Sequence, residues 1–228
     1  MIELIDVYKT YPNGVTAANG LNIKIDQGEF VYIVGPSGAG KSTFIRMIYR
    51  EEVPTKGEIR IQDIELSKLK QREIPYFRRQ IGVVFQDFKL LPRLTVYENV
   101  AFALEVIEMS PDKIKSRVME VLDLVGLKHK ARSFPSELSG GEQQRVSIAR
   151  AIANYPKIVI ADEPTGNLDP DTSWSIMRIL EEINNRGTTI IMATHSKEIV
   201  NTVKKRVIAI ENGMVVRDEE QGVYGYEI

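Results

Sequence analysis

Phe30-Val-Tyr-Ile-Val-Gly-Pro-Ser-Gly-Ala-Gly-Lys-Ser-Thr43 is the stretch that decides the fold. Its first five residues are β-favouring and apolar, and the run is too short for a buried helix, so Phe30–Val34 reads as a buried strand. From Gly35 the chain carries G-x-x-x-x-G-K-S, and the residues from Phe44 to Tyr49 have helical character. A strand, a glycine loop and a helix in that order give the motif the context it requires. Across Gly35, Pro36, Ser37, Gly38, Ala39 and Gly40, the glycines let successive N–H groups turn inward around phosphate oxygens without Cβ clashes. The helix that follows Thr43 points its positive end at the same phosphates. Lys41 is expected on the β- and γ-phosphates and Ser42 on Mg²⁺. An ordinary glycine-rich turn offers no reason for a lysine and a serine at these offsets.

A second element, Ile158-Val-Ile-Ala-Asp-Glu163, is a short apolar run ending in two carboxylates. Alone, two acids after a strand more often form a helix-cap cluster. Beside a phosphate loop, Asp162 is expected to orient Mg²⁺. Strand alternation would send Glu163 to the opposite side of the strand tip, where it could act as general base on an attacking water.

The rest of the composition narrows the field. The chain has 228 residues, 43% of them hydrophobic and 27% charged, a balance suited to one sizeable globular core. With no cysteine and two histidines, it lacks thiol nucleophiles, cysteine-held metals and three-histidine sites. Thirty basic against 31 acidic residues give a net charge of −1, unlike a generic nucleic-acid binder. No apolar run approaches the ~18 residues needed to cross a bilayer. The amino terminus lacks the basic start and apolar stretch of a signal peptide. The expected location is therefore cytoplasmic, with any membrane role borrowed from a partner.

Further strands are expected at Val83–Phe85, Ile158–Ala161 and Thr189–Ala193, and their continuous hydrophobicity suggests a parallel sheet covered on both faces. Ile2, Leu4 and Ile5, then Leu21, Ile23 and Ile25, then Ile59 and Ile61 suggest antiparallel strands with one wet face. Asn212-Gly213 predicts a two-residue hairpin turn near the end. Between about Thr95 and Tyr155 the pattern turns helical, over Val96–Ile107, over Pro111–Val125 with Gly126 as C-cap, and from Ser139 toward Asn154. The organisation expected is a single domain, 1–228, with a helical subdomain at about 87–156 inserted in an α/β core.

Leu138-Ser-Gly-Gly-Glu-Gln-Gln-Arg145 lies between the two nucleotide elements, and with it the chain resembles the ABC ATPases. The resemblance spans the whole chain, and its elements occur in order. Tyr11 matches the aromatic residue on which adenine stacks, and Gln86 the Q-loop glutamine, a further Mg²⁺ contact. Asn167-Leu168-Asp169 matches the D-loop and His195 the switch histidine. The fold implied is α/β, a P-loop NTPase core of the ABC type with an antiparallel β subdomain and an inserted α-helical subdomain. The resemblance implies ATP and Mg²⁺ as cofactors, with Glu163, His195 and Lys41 as the catalytic set. It also implies a homodimer in which Ser139, Gly140 and Gly141 meet the γ-phosphate held by the other copy. Their place at a helix start suits an anion, and Ser139 with Glu142 also suits a capping box.

Within the family, Pro164-Thr-Gly-Asn-Leu-Asp169 resembles the branch of lipoprotein-release, macrolide-export and cell-division ATPases. Phe44-Ile-Arg-Met-Ile-Tyr-Arg-Glu51, Arg78-Arg-Gln-Ile-Gly-Val-Val-Phe-Gln-Asp87 and Leu94-Thr-Val-Tyr-Glu-Asn-Val100 resemble the cell-division members. The closing Tyr224-Gly-Tyr-Glu227 is similar to those of Gram-positive cocci. That branch implies a polytopic, FtsX-like membrane partner, control of a septal peptidoglycan hydrolase, and a peripheral place on the inner face of the plasma membrane. The alternative is the nucleotide-binding subunit of a lipoprotein-release or drug exporter. A soluble DNA-repair ATPase is disfavoured, because the interval between the two nucleotide motifs has neither heptads nor cysteines. His129, between Lys128 and Lys130, reads as a solvated turn. Lys68, Lys70, Arg72, Arg78 and Arg79 read as a solvated face in preference to a lipid-contacting one.

Overall fold

The computed structural model describes residues 2–225, in two compact units: one joins the residues up to 78 with those from 189 onward, the other spans Arg79–Thr188. The first unit contains β1 (Ile2–Thr10), β2 (Thr16–Ile25), β3 (Phe30–Val34), α1 (Lys41–Ile48), β4 (Lys56–Ile61), β5 (Ile64–Glu65) and α2 (Ile74–Arg78), then β8 (Thr189–Ala193), α7 (Lys197–Thr202), β9 (Arg206–Glu211) and β10 (Met214–Glu219). The second contains β6 (Ile81–Val84), α3 (Val96–Glu105), α4 (Pro111–Leu124), α5 (Gly140–Ile152), β7 (Ile158–Asp162) and α6 (Pro170–Asn185).

In the first unit an antiparallel sheet runs in the order β2-β1-β4-β5. Its pairing sets Ile23 opposite Leu4 and Leu4 opposite Ile59, and all three are buried. Such cross-strand apolar rows are what hold a half-wet sheet together. Asp6, at φ +48°, breaks the β1 register between Leu4 and Val7, and the bulge leaves Ile5 on the wet face at 41% exposure. The other strands of this unit run in the order β10-β9-β3-β8. β3 pairs in parallel with both β8 and β9 and is buried along its whole length, as its unbroken apolar run predicts. Asn212 (φ +49°) and Gly213 (φ +74°) make the two-residue turn between β9 and β10.

In the second unit β6 and β7 form a parallel pair with Gly82 opposite Val159. The strand expected at Val83–Phe85 starts two residues earlier and ends before Phe85. Its pairing fixes it: a Cβ on Gly82 would lie 2.4 Å from the Ala151 carbonyl oxygen, so glycine is what lets α5 approach the strand this closely. Thr95 and Ser139 N-cap α3 and α5, each in a full capping box. Gly126 (φ +71°) follows the Val125 C-cap of α4. Helix α6 is absent from the sequence reading, although Ile176, Met177, Leu180 and Ile183 line its buried side and Asp169-Pro170 starts it.

Buried polar side chains tie the irregular segments of this unit. Arg117 donates from Nε to the Ala153 carbonyl (2.9 Å) and from an Nη to that of Ile152 (2.8 Å), satisfying the end of α5. Fully buried Asn99 accepts from Leu91 N–H (2.8 Å) and donates to the carbonyls of Leu91, Leu94 and Thr95. Asn99→Ala is expected to lower unfolding stability by about 1–3 kcal/mol, the cost of leaving buried backbone groups unpaired. Denaturant titration checks it, and a loss below about 0.5 kcal/mol, the scale of an ordinary surface substitution, would mean that water replaces the amide.

Near the carboxyl end Arg217 donates to the carbonyls of Val223, Tyr224 and Gly225. Of the closing Tyr224-Gly-Tyr-Glu227, Tyr226 and Glu227 lie outside the described residues. Among the described residues no helix is long and apolar enough to cross a membrane.

Candidate nucleotide site

In the first unit, the loop from Gly35 to Gly40 leaves the carboxyl end of β3 and enters α1. Gly35 has φ +146°, and a Cβ there would sit 2.0 Å from the Ile210 carbonyl oxygen. Gly40, the N-cap of α1, has φ +107°, and its Cβ would lie 2.2 Å from the Ala17 oxygen. Neither position admits a side chain, so the loop's shape is set by the strands around it. The hairpin tip joins this packing, with Gly213 N–H donating to the Ala39 carbonyl at 3.0 Å.

Lys41 is only 9% exposed, and its ammonium donates to the carbonyls of Gly35 (2.8 Å) and Pro36 (3.0 Å). The cation is therefore held over the loop that would take the phosphates. Pro36, Ser37, Gly38 and Ser42 are exposed around it, while Ala39 is buried. Tyr11 is half-buried, its hydroxyl 3.1 Å from that of Thr43, which puts the aromatic ring beside the loop. His195 follows β8, whose Ala193 pairs with Ile33 of β3. It thus stands at the same carboxyl edge as Gly35, the edge at which open parallel sheets bind ligands. His195 is exposed, and the next residue, Ser196, N-caps α7.

In the second unit Asp162 is the last residue of β7, and Val84 and Ala161 pair near the ends of the two strands. Gln86 and Glu163 both lie just beyond those ends. Glu163 does not continue the strand's alternation as expected from sequence. Its φ of +48° turns the backbone into the left-handed region, and Gly166 N–H closes the turn on its carbonyl at 3.1 Å. A Cβ on Gly166 would stand 3.1 Å from Gln86 Nε2 and 3.4 Å from Glu163 Oε2. The bare glycine leaves room for both side chains at one spot, a convergence that sequence reading attached to no residue.

Ser139 caps α5, accepting from Glu142 N–H (3.3 Å) while Glu142 accepts from Ser139 N–H (2.8 Å). That N–H, with Lys130 and Arg145 nearby, holds the Glu142 carboxyl below its ordinary range. Gly140 is exposed, and a Cβ on buried Gly141 would meet Thr172 Cγ2 at 2.3 Å. Asp169 caps α6 through Thr172 N–H (2.9 Å), and the Thr172 hydroxyl and N–H hold its carboxyl below the usual value. Both residues thus combine a helix cap with an exposed surface position.

Arg150 escaped the sequence reading. It donates to the carbonyls of Lys89 (2.6 Å) and Phe88 (2.9 Å), two residues with φ of +49° and +59°, and so fastens the loop after Gln86. Burial pushes its guanidinium below the usual pKa. The basic stretch is partly structural: Arg78 donates to the carbonyls of Tyr49 and Arg50, Arg79 to that of Val106, and Lys68 pairs with Glu65 at 2.5 Å. His129 is exposed in a single 3₁₀ turn, Lys128–Lys130.

The family profile described as ABC transporter matches residues 18–166. The cell division ATP-binding protein FtsE of Bacillus subtilis is 73% identical over 225 residues, covering 99% of both chains. The protein of the same name from Streptococcus pneumoniae D39 is 64% identical, covering 100% of this chain and 99% of that one. Among solved structures, the dimeric, post-hydrolysis ATP-binding cassette MJ0796 bound to ADP and Pi superposes with a TM-score of 0.88 at 40% identity, covering 99% of this chain and 100% of that one.

Proposed function

Because this chain belongs to the ABC transporter ATPase family, we propose that its ATP cycle drives an FtsX-like polytopic membrane partner and thereby regulates septal peptidoglycan hydrolysis in cell division. The observation that carries this reading is end-to-end identity of 73% to a cell division ATP-binding protein. The chain is an ATPase. ATP sits with its phosphates in the loop from Gly35 to Thr43, adenine against Tyr11, and Lys41 neutralises the β- and γ-phosphates. Ser42, Gln86 and Asp162 offer a hydroxyl, an amide and a carboxylate, a hard oxygen set that fits Mg²⁺. When bound, the ion supplies charge neutralisation on the phosphate oxygens. Glu163 takes the proton of the attacking water, and His195 orients the γ-phosphate or that water. Ser139, Gly140 and Gly141 present the start of α5 to the γ-phosphate held by a second copy, so that ATP joins two chains and its hydrolysis parts them. The assembly places the chain at the inner face of the plasma membrane through its partner.

The loop after Gln86 is our candidate for the partner contact. Phe88, Leu90 and Leu91 are half-buried. The Phe88 ring would lie 3.8 Å from a Cβ on Gly140, so Phe88 packs within its own unit. At Leu91 it is the backbone N–H and C=O that Asn99 holds, so the loop is fastened there through main-chain groups. Leu91→Asp is expected to abolish co-purification of the FtsX-like protein, by burying an unpaired charge in the contact, while Tm and ATP affinity change little. Pull-down and thermal unfolding on one preparation decide it. Wild-type capture removes Leu91 from the interface, and an unfolded variant makes it a core residue. An exporter would show itself differently, through a co-purifying membrane protein with its own substrate pathway.

A further inference from the structure

We propose that Gln144, on α5, is a positioning residue for Glu163, acting through the carbonyl of Pro164. The inference rests on the reading of Glu163 as general base. Gln144 is fully buried, and its Nε2 donates to the Pro164 carbonyl at 2.7 Å. Only the nitrogen of the amide can donate, so this bond fixes which way the side chain faces. Among the described residues its Oε1 accepts no hydrogen bond, and the same holds for Oγ of buried Ser147 one turn along. A buried amide with an unmet oxygen is a poor choice for packing alone, since an apolar side chain of the same size avoids that desolvation. What glutamine adds is one donor, spent on one carbonyl.

That carbonyl follows Glu163 directly. Glu163 is doubly constrained: its φ of +48° is unusual for a residue with a side chain, and it precedes a proline, which narrows its conformations further. Pro164 has no N–H with which to brace the turn. Sparsely populated conformations persist where the surroundings over-determine them. Here the surroundings are the Gly166 N–H on the Glu163 carbonyl and Gln144 on the next one. The start of the same helix is pressed against α6, with the Gly141 position 2.3 Å from Thr172 Cγ2 had it a Cβ. The segment between Glu163 and Thr172 is thus gripped by α5 at both ends, so the direction of the Glu163 carboxylate depends on where α5 stands.

The test compares Gln144→Met, of equal length without a donor, with Gln144→Asn, too short to reach Pro164, in the full chain. Both are expected to lower kcat about tenfold or more, since small displacements of a catalytic group carry such costs, with the ATP KM, Kd and Tm nearly unchanged. Exchange of the Gly166 amide proton should quicken. In a Glu163→Gln background, adding Gln144→Met should leave the residual rate unchanged, because the base it positions is gone. Folded variants with wild-type kcat overturn the proposal, as does an equal fold loss in the Glu163→Gln background. If both variants unfold, Gln144 is a packing residue and the assignment is wrong. Near-normal turnover by Glu163→Gln alone would instead remove the base reading and this inference with it. An inactive Glu163→Gln beside fully active Gln144 variants overturns only the inference.

Discussion

Glu163→Gln is expected to keep ATP bound while steady-state turnover falls about 10²–10⁴-fold, the range associated with loss of a general base. The amide keeps the size of the carboxylate and can still hold a water by hydrogen bonding, but it cannot take the proton. Backbone strain at φ +48° is the same for either side chain, so the turn closed by Gly166 should survive. With chemistry stopped after binding, ATP is expected to accumulate a nucleotide-joined dimer, visible as an earlier gel-filtration peak. Phosphate release and ATP affinity measured together separate the outcomes. Unaltered phosphate release would take the base role from Glu163. Lost ATP binding would mean that the residue shapes the site and leaves the proton to another group.

The glycine loop between β3 and α1 was legible because its physics is local. A phosphate cradle needs glycines, a cation and a hydroxyl at fixed offsets, and all of them lie within nine consecutive residues, Gly35 to Thr43. β8 and the Asn212-Gly213 turn were equally readable, since an unbroken apolar run and turn chemistry depend only on near neighbours. Long-range clamps were not. Arg117 serves carbonyls 35 and 36 positions away, and Arg150 serves carbonyls 61 and 62 positions away. As letters they are ordinary helix arginines. The missed helix α6 had its signal in plain view, in Asp169-Pro170 and the spacing of Ile176, Met177, Leu180 and Ile183. Reading Asp169 only for its motif hid its second role as an N-cap.

Glu163 shows where period-two reasoning fails. Alternation holds only while the backbone stays extended, and β7 ends one residue earlier. The signal available was Pro164, which restricts the residue before it, together with Gly166 two residues further on. Functional residues at the ends of parallel strands sit where regular structure stops. Their side-chain directions are therefore set by the turn and by whatever fastens it, here the Gly166 N–H and the Gln144 amide.

Mixing two inactive variants is expected to restore hydrolysis. Ser139→Arg places a bulky cation at the start of α5, the spot proposed to meet the opposing γ-phosphate. It also removes the N-cap hydroxyl that Glu142 N–H uses. ATP affinity of the single chain should hold, while ATP-dependent dimerisation is lost. Lys41→Ala removes a cation held over the phosphate loop by Gly35 and Pro36, and nucleotide binding itself should weaken about 10–100-fold, as for a lost charge-assisted hydrogen bond. Each homodimer then carries a lesion in both sites. In a head-to-tail pair of one variant with the other, one site combines both lesions and the second has neither. Equal mixing makes about half of all dimers mixed, so about a quarter of the sites are intact, and hydrolysis should recover toward that fraction. Isothermal titration of each variant, followed by phosphate release from the mixture, carries the test. If cross-linking detects mixed dimers and no activity returns, the two sites do not turn over independently. If Ser139→Arg alone hydrolyses ATP at the wild-type rate, the start of α5 is not part of the site.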